Sequence, residues 1–114
     1  MKLTNQQIER IMAYGNAKKY KNTYCPLWNE HCYPNYKELF EDMNFLHFIE
    51  QKMMDEAGYS IVERKHTGKD TVSLIYENEP VDINLFKHTE GIGTSLAEAI
   101  PDSVNNYLES KERG

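Results

Sequence analysis

A long amphipathic pattern between Pro34 and Gly58 restricts the fold of this chain more than any other feature. Apolar side chains recur there every three or four residues, the spacing that places them on one face of an α-helix. Asn35, with Glu38 three positions later, provides a helix start signal, and Asp42 predicts an interruption that caps a second helical piece. A helix with so wide an apolar face needs a sheet or further helices to cover it. The face consists of Tyr36, Leu39, Phe40, Met43, Leu46, Ile49, Met53 and Ala57.

Three segments with β-strand character follow this helix. Tyr59–Lys65 alternates apolar and polar residues, and Thr71–Glu77 is rich in β-branched and aromatic residues. In the third segment, Val81–Phe86, apolar residues alternate with Asp82 and Asn84. The turn-forming sequences Thr-Gly-Lys-Asp and Asn-Glu-Pro separate them. This order predicts a three-stranded antiparallel meander. In its third strand, the residues expected to face the core are Val81, Ile83 and Leu85.

A short amphipathic helix is predicted at the start of the sequence. Thr4 with Gln7 has the spacing of a capping box, and Leu3 with Ile8 that of a hydrophobic staple. Gly15 is suited to end this helix after about three turns. Its narrow apolar stripe indicates that the helix packs on another element or on a partner.

The last helix is predicted to begin after Ser95. Ser95 with Glu98 has capping-box spacing, and apolar residues recur at helical intervals as far as Leu108. Pro101 lies inside this pattern, where it lacks a backbone donor and its ring clashes with the preceding turn. We therefore expect a kink or a restart of the helix between Ala97 and Pro101.

These elements together predict an α+β fold in one compact domain, since 114 residues suffice for a single modest core. We expect an N-terminal helix and an ordered aromatic loop, followed by an α-β-β-β-α unit with a three-stranded antiparallel meander. The expected division is a basic aromatic extension over residues 1–34, the core over 35–110 and a charged tail over 111–114.

The segment Tyr14–Tyr36 holds five of the eight tyrosines, the single tryptophan and both cysteines. It shows neither helical nor strand periodicity, so we predict an ordered loop, and loops of about twenty residues are commonly functional. Aromatic and cationic side chains that lack core periodicity favour a binding surface. The predicted binding residues are Lys18, Lys19, Tyr20, Lys21, Tyr24, Trp28, His31, Tyr33 and Tyr36.

The charge of the chain is unevenly distributed. Residues 1–37 contain six Lys or Arg and two acidic residues, net +4, and the remainder contains seven Lys or Arg and sixteen acidic residues, net −9, which together give −5. A basic aromatic end on an acidic body suits an anionic or mixed partner, and the acidic body disfavours nucleic acid. The alternative is an ordinary solvated surface in which the split has no functional meaning.

The compartment is predicted from hydropathy and cysteine usage. A mean hydropathy of −0.74 and the absence of a long uncharged apolar run exclude a transmembrane helix and a secretory signal, so we expect a cytoplasmic protein. In that compartment Cys25 and Cys32 are expected to be free thiols.

Three short sequences, Tyr33–Tyr36, Met53–Tyr59 and Gly93–Ile100, are similar to those of a known family. On the basis of these three sequences, the stretch Tyr33–Leu108 resembles the small phage proteins grouped as the phage ABA sandwich domain. The resemblance implies a phage or prophage origin and an α/β fold, and the family brings no established activity. Family members often continue the last helix with an alanine-rich run, which Pro-Asp-Ser replaces here.

Catalytic and metal chemistry find little support in the sequence. Cys25, His31 and Cys32, with His47 or His88, include zinc-type ligands, but structural zinc sites usually space paired cysteines by two to four residues. A Cys–His nucleophile would use the same residues without a recognisable nucleophile context. Adjacent carboxylates normally form a solvated face. We therefore predict no metal, no cofactor and no catalytic residue; the carboxylate pairs considered are Glu41 with Asp42 and Asp55 with Glu56.

A glycine-containing segment before the last helix is a candidate anion site. Two glycines free the backbone just before unpaired helical N–H groups, an arrangement that can hold a phosphate or a carboxylate. The segment lacks the lysine of a P-loop, and a flexible connection between strand and helix also explains it. The candidate residues are Gly91, Gly93, Thr94 and Ser95.

Two functional hypotheses follow from the sequence. In the first, the chain is a phage-encoded, non-enzymatic protein whose basic aromatic surface binds and inhibits or modulates a host protein such as a defence factor. In the second, the same residues sequester a nucleotide-like small molecule by stacking and charge. A Cys/His hydrolase is the third option. A homodimer is a further expectation, with the first helix or a strand edge as its contact.

Overall fold

The computed structural model describes residues 3–26, 31–68 and 70–113, without the side chain of Arg113. The fold is α+β, as predicted. Among the described residues no helix is long and apolar enough to cross a membrane. The helices are α1 (Asn5–Tyr14), α2 (Tyr36–Glu41), α3 (Met43–Ala57) and α4 (Leu96–Arg113), and the strands are β1 (Ala17–Tyr20), β2 (Thr23–Pro26), β3 (Tyr59–Thr67), β4 (Thr71–Asn78) and β5 (His88–Gly93).

Helix α1 begins at the predicted capping box. The Thr4 hydroxyl accepts from the Gln7 amide at 3.2 Å, and the Gln7 side chain accepts from the Thr4 amide at 2.8 Å. At the other end, Gly15 is buried, and a Cβ there would lie 2.5 Å from the Phe45 ring. The missing side chain therefore lets the end of α1 lie directly against α3.

The apolar stripe of α1 is buried within the same chain. Ile8, Ile11 and Met12 join one continuous core with residues of α3, β4 and α4. The N-terminal segment is thus part of the main core, and this face is not available for the helix-mediated dimer that the sequence suggested. Other central members of the core are Phe45, Ile49, Leu74, Tyr76, Ile100 and Val104.

The long amphipathic pattern forms two helices that meet at Asp42, as predicted. The Asn35 side chain caps α2 by accepting from the Glu38 amide at 2.9 Å. Asp42 ends α2 and caps α3 by accepting from the Asn44 amide at 2.8 Å. Gly58 then ends α3 in the left-handed conformation, with φ of 69°.

Strands β3, β4 and β5 form an antiparallel sheet in that order. The first two strands agree with the prediction, but the predicted third strand, Val81–Phe86, is wrong. Val81, Ile83 and Leu85 are 107%, 79% and 59% exposed, and residues 83–85 form a 3₁₀ turn instead. The third strand is β5, which lies in the segment that was expected to be a glycine loop.

Local hydrogen bonds explain why residues 81–86 do not extend. The Asp82 carboxylate accepts from the Asn84 amide at 2.9 Å, which favours a turn over a strand. The Asn78 side chain donates to the Leu85 carbonyl at 3.0 Å and accepts from the Lys87 amide at 2.7 Å. These bonds hold the connection as a closed loop, so that β5 starts only at its end.

Helix α4 covers β5 at very short range. A Cβ on Gly91 would lie 1.9 Å from the Ser103 hydroxyl oxygen and 2.2 Å from the Ala99 carbonyl oxygen. The Thr89 hydroxyl also donates to the Ser103 carbonyl at 2.9 Å. Glycine is required at this crossing because no side chain fits between the two backbones.

We predicted a kink or a restart of the last helix. Helix α4 runs continuously from Leu96 to Arg113, through Pro101, so the restart is wrong and the kink stays a prediction. It also extends through most of the segment predicted as a tail. Its capping differs from the prediction too, because the Glu98 carboxylate accepts from the Thr94 amide at 3.0 Å, one residue before Ser95.

Replacing Gly91 with alanine is expected to lower the free energy of unfolding by about 3 kcal/mol, because the new methyl group would overlap atoms of α4. Chemical denaturation followed by circular dichroism measures this loss. The matched control is Gly68→Ala: Gly68 has φ of 69° and open space around it, so the expected loss is only about 1 kcal/mol of backbone strain. Equal losses in the two variants would contradict the close approach.

Candidate functional site

The aromatic segment predicted as a loop contains a β-hairpin. Strands β1 and β2 pair antiparallel, with Ala17 opposite Pro26 and Tyr20 opposite Thr23. The turn is Lys21-Asn22, in which Lys21 takes a positive φ of 56°. Sequence reasoning missed the hairpin for two reasons: the turn has no glycine, and three of the four β1 residues are exposed, which removes the alternating pattern.

Residues on the far side of β2 extend this small sheet. The Tyr24 amide donates to the Tyr33 carbonyl at 2.8 Å, and the Tyr33 amide donates to the Tyr24 carbonyl at 2.9 Å. The next pair along, Cys25 and Cys32, lies with Cα atoms 4.4 Å apart and forms a disulfide. This is the geometry of directly opposite residues that do not exchange backbone hydrogen bonds.

The prediction of free thiols is therefore wrong. It rested on the expected compartment, whereas the fold places Cys25 and Cys32 on neighbouring extended segments within bonding distance. The zinc and Cys–His alternatives also lose their ligand and nucleophile, because both need a thiolate. Among the described residues no cluster of three or more His, Cys, Asp or Glu side chains is arranged to hold a metal ion.

Tyr33 attaches the hairpin to the helical core. Its hydroxyl donates a short hydrogen bond to Oδ2 of Asp42, while Oδ1 of the same carboxylate caps α3. The hydrogen bond to Asp42 raises the pKa of Tyr33 to about 12, because ionisation would place two negative charges together. One carboxylate thus fixes both the start of α3 and the base of the hairpin.

The predicted binding residues separate into two groups. Tyr24, Tyr33 and Tyr36 are half-buried and pack against the core, so these rings serve the fold. The Tyr36 ring meets Phe40 edge-on, with centroids 5.7 Å apart. Trp28 lies outside the described residues.

The second group is exposed at the end of the hairpin. Tyr20 is 67% exposed, and the Lys21 ammonium lies 5.8 Å from the centre of its ring. The Lys19 ammonium lies 5.7 Å from the Tyr24 ring. His31 is also exposed, and its ring meets Tyr33 edge-on at 4.7 Å. We call the exposed group Lys18, Lys19, Tyr20 and Lys21 the hairpin tip.

The candidate anion site does not form as a loop. Gly91 and Gly93 belong to β5, and Gly91 is buried beneath α4. Thr94 and Ser95 do precede α4, but the Thr94 amide already donates to the Glu98 carboxylate. A side chain of the protein therefore occupies the position where an anion was expected.

A second site, missed by the sequence analysis, surrounds Glu56 near the C-terminal end of α3. The Glu56 carboxylate accepts from the Tyr14 hydroxyl at 3.0 Å and from the Tyr107 hydroxyl at 3.1 Å, and Lys111 lies 3.6 Å away. Burial opposes ionisation of Glu56, but the hydrogen bonds from Tyr14 and Tyr107 together with the charges of Lys111 and Lys52 lower its pKa. Burial and Glu56 together raise the pKa of Tyr107 to about 12.

Beside Glu56 lies a groove of about 760 Å³. It combines aromatic rings with cationic groups, and the His88 ring stacks on Phe86 with centroids 5.9 Å apart. Its residues come from α3, β3, α4, the loop before β5 and the first residue of β5, so no linear motif could have revealed it. We call it the aromatic groove; its defining residues are Tyr59, Phe86, Lys87, His88, Tyr107 and Lys111.

Comparison of the chain with protein-family models, curated proteins and solved structures found no match. The resemblance to the phage ABA sandwich domain stays a prediction from its three short sequences.

Removing the Tyr33 hydroxyl is expected to destabilise the protein. Tyr33→Phe should lower the free energy of unfolding by about 1 kcal/mol, because Asp42 loses a hydrogen-bond donor. Since the pKa of Tyr33 is raised in the folded state, this stabilisation is complete below pH 10 and is lost as the pH rises through about 12. Urea denaturation at pH 7 and pH 11 should therefore show a smaller difference between wild type and variant at pH 11.

The control for this variant is Tyr20→Phe, which removes the same hydroxyl from an exposed ring. We expect it to change stability by less than about 0.5 kcal/mol. A loss in Tyr33→Phe no larger than in the control would show that the bond to Asp42 does not support the hairpin.

Proposed function

We propose that this chain is a non-enzymatic protein-binding module that uses the hairpin tip to contact and block a partner protein. The observation that carries this proposal is the contrast between an exposed tip and a fixed base. At the base, the Cys25–Cys32 disulfide, the Tyr24–Tyr33 backbone pair and the Tyr33–Asp42 hydrogen bond restrain the segment. At the tip, Tyr20 is largely solvent-exposed between lysines.

Restraint at the base favours binding because less conformational entropy is lost when the partner is contacted. Tyrosine contributes a large amphipathic contact area with only two side-chain torsions, and it is enriched among residues that dominate interface energies. An exposed tyrosine on a restrained hairpin is thus suited to act as an anchor.

The charge distribution of this chain favours a partner protein whose contact surface is acidic. Residues 1–37 carry a net charge of +4, and the tip contributes three of those lysines within four positions. Complementary charge accelerates association and suppresses binding of partners with like charge. The acidic remainder of the chain would in turn repel an acidic partner from other faces.

The nature of the partner rests on the resemblance to phage proteins. If the chain is phage-encoded, the partner is a host protein, and a defence or regulatory factor is the target that binding would inhibit. This part of the proposal depends on the three short sequences named above, whereas the hairpin tip as a binding surface depends on the structure.

The cytoplasmic location that we propose from the sequence would affect the redox state of the two cysteines in the hairpin. Disulfides are rare in the cytosol because thiol systems keep cysteines reduced. A cytoplasmic protein would therefore bind its partner with Cys25 and Cys32 reduced, and the base would keep only its hydrogen bonds. Alkylation of free thiols in intact cells, followed by mass spectrometry, distinguishes the two states.

The test of this proposal is photo-cross-linking followed by affinity measurement. A photoreactive phenylalanine at position 20 should cross-link one protein in lysate of the producing cells. Against that purified protein, Tyr20→Ala should weaken binding by about tenfold or more, and combined Lys18→Glu, Lys19→Glu and Lys21→Glu should abolish it.

The control is Lys65→Glu, the same type of substitution at a single exposed position of β3. It should leave the affinity within about threefold of wild type, since a remote charge has a small screened effect. If the partner binds the tip variants as tightly as wild type, the hairpin tip is not the binding surface.

The aromatic groove supports a second candidate function, the binding of a nucleotide-like small molecule. Its rings offer stacking surfaces, and Lys87 and Lys111 offer positive charge for a phosphate. The small-molecule site proposed here differs from the one that the sequence indicated, because the half-buried tyrosines of that site pack against the core.

Titration calorimetry with AMP tests the second candidate. We expect Lys87→Ala to weaken AMP binding by about tenfold, because Lys87 is exposed at the groove and its loss removes a phosphate partner. Lys18→Ala, at the hairpin tip, is the control and should bind AMP like wild type. Absence of AMP binding to the wild-type protein, or equal weakening by both variants, would contradict this function.

A further inference from the structure

The connection between β4 and β5 presents large apolar side chains to solvent. Val81, Ile83 and Leu85 are each more than half exposed, although their alternation is that of residues in a half-buried strand. Exposed apolar side chains that cluster on a folded chain commonly mark an interaction site. We call residues 79–86 the apolar loop; its last residue, Phe86, also lines the aromatic groove.

Hydrogen bonds within the apolar loop restrain its backbone. The Leu85 amide donates to the Asp82 carbonyl at 2.8 Å, and the Phe86 amide donates to the Ile83 carbonyl at 3.1 Å. The Asn78 side chain closes the loop at its base. Because the backbone is already restrained, a partner that covers these apolar side chains has little additional chain to order.

The charge around the apolar loop decides which kind of partner fits it. Glu79 and Asp82 are exposed, and residues 77–90 contain four acidic residues and a single Lys, Lys87. Two apolar loops facing each other would bring like charges together, and an anionic lipid surface would repel the loop. The apolar loop therefore fits a protein surface that combines apolar area with positive charge.

The hairpin tip of this same chain has that combination. The Tyr20 ring provides exposed apolar area, and the three lysines among residues 18–21 provide positive charge. The tip and the apolar loop are both exposed in the single chain, so neither covers the other. A second copy of the chain carries a complementary surface for each of them.

We propose that the hairpin tip of one copy docks on the apolar loop of a second copy. Tyr20 packs on Val81 and Ile83, while lysines of the tip pair with Glu79 and Asp82. Because two different surfaces meet, the contact is heterologous, and each pair of copies keeps one free tip and one free loop. The proposal shares the hairpin tip with the proposed function but needs no partner protein.

The contact is small, so the association should be weak and depend on concentration. In sedimentation equilibrium of the purified chain, the average mass should rise above the 13.4 kDa of one copy between about 20 µM and about 1 mM. The association should also weaken by about threefold or more when NaCl is raised from about 0.05 M to about 0.5 M, because salt screens the charge pairs.

Cross-linking identifies the surfaces that meet. A photoreactive phenylalanine at position 20 is introduced into unlabelled protein, which is mixed with an equal amount of ¹⁵N-labelled protein. Mass spectrometry should find cross-links from position 20 to residues 79–86 of the labelled copy. Cross-links to other segments of the labelled copy instead would contradict the proposal.

Two variants test the heterologous contact. Tyr20→Ser removes the anchor of the tip, and Val81→Ser combined with Ile83→Ser removes the apolar part of the loop. Each variant alone should associate at least about tenfold more weakly than wild type. An equimolar mixture of the two should form dimers with an affinity near that of wild type and stop there, because it retains one intact tip and one intact loop per pair.

The matched control is Ile92→Ser, which removes an exposed apolar side chain outside the apolar loop. It should associate like wild type, whereas weakening equal to that of the loop variant would show unspecific apolar association. A wild-type chain that stays monomeric, or a mixture that forms no dimers, would overturn the proposal. The proposed function has a separate outcome, because a tip that cross-links a protein of the producing cells without self-association overturns only the contact between copies.

Discussion

The close approach of α4 to β5 at Gly91 is the constraint on which the rest of the sheet depends. Because a Cβ at this position would lie within 2.2 Å of two atoms of α4, the helix and the strand touch backbone to backbone. At this range, side chains of α4 form hydrogen bonds with the backbone of the edge strand β5. Asp102 accepts from the Ile92 amide, and Asn106 donates to the Glu90 carbonyl at 2.8 Å. These contacts satisfy an edge that would otherwise invite pairing with another chain.

A single residue, Asp42, joins the hairpin to the helices. Asp42 ends α2 through its backbone amide, and its carboxylate caps α3 and accepts from Tyr33, so the interruption of the long helix is also the attachment point of the aromatic segment. The rings nearest this point are committed to packing, and only the tip projects into solvent. This arrangement explains why a segment rich in tyrosine can be both part of the fold and a binding surface.

The aromatic groove is assembled from separated parts of the chain. Its residues come from α3, β3, β5 and α4 and from the loop before β5. The hairpin tip, by contrast, is contiguous in sequence, which is why sequence reasoning found it.

The sequence by itself determined the elements whose signals are local. The Thr4–Gln7 capping box, the caps at Asn35 and Asp42 and the glycine end of α3 depend on residues within one turn of each other, and all formed as predicted. Tertiary structure decided the elements whose partners are distant. The alternating run at Val81 was predicted as a strand, but local hydrogen bonds hold it as a loop. His88–Gly93 pairs with β4 instead and has a glycine where α4 touches the sheet. The cysteines form a disulfide because β2 and Tyr33 are neighbours in space, a relation that their spacing in the sequence does not reveal.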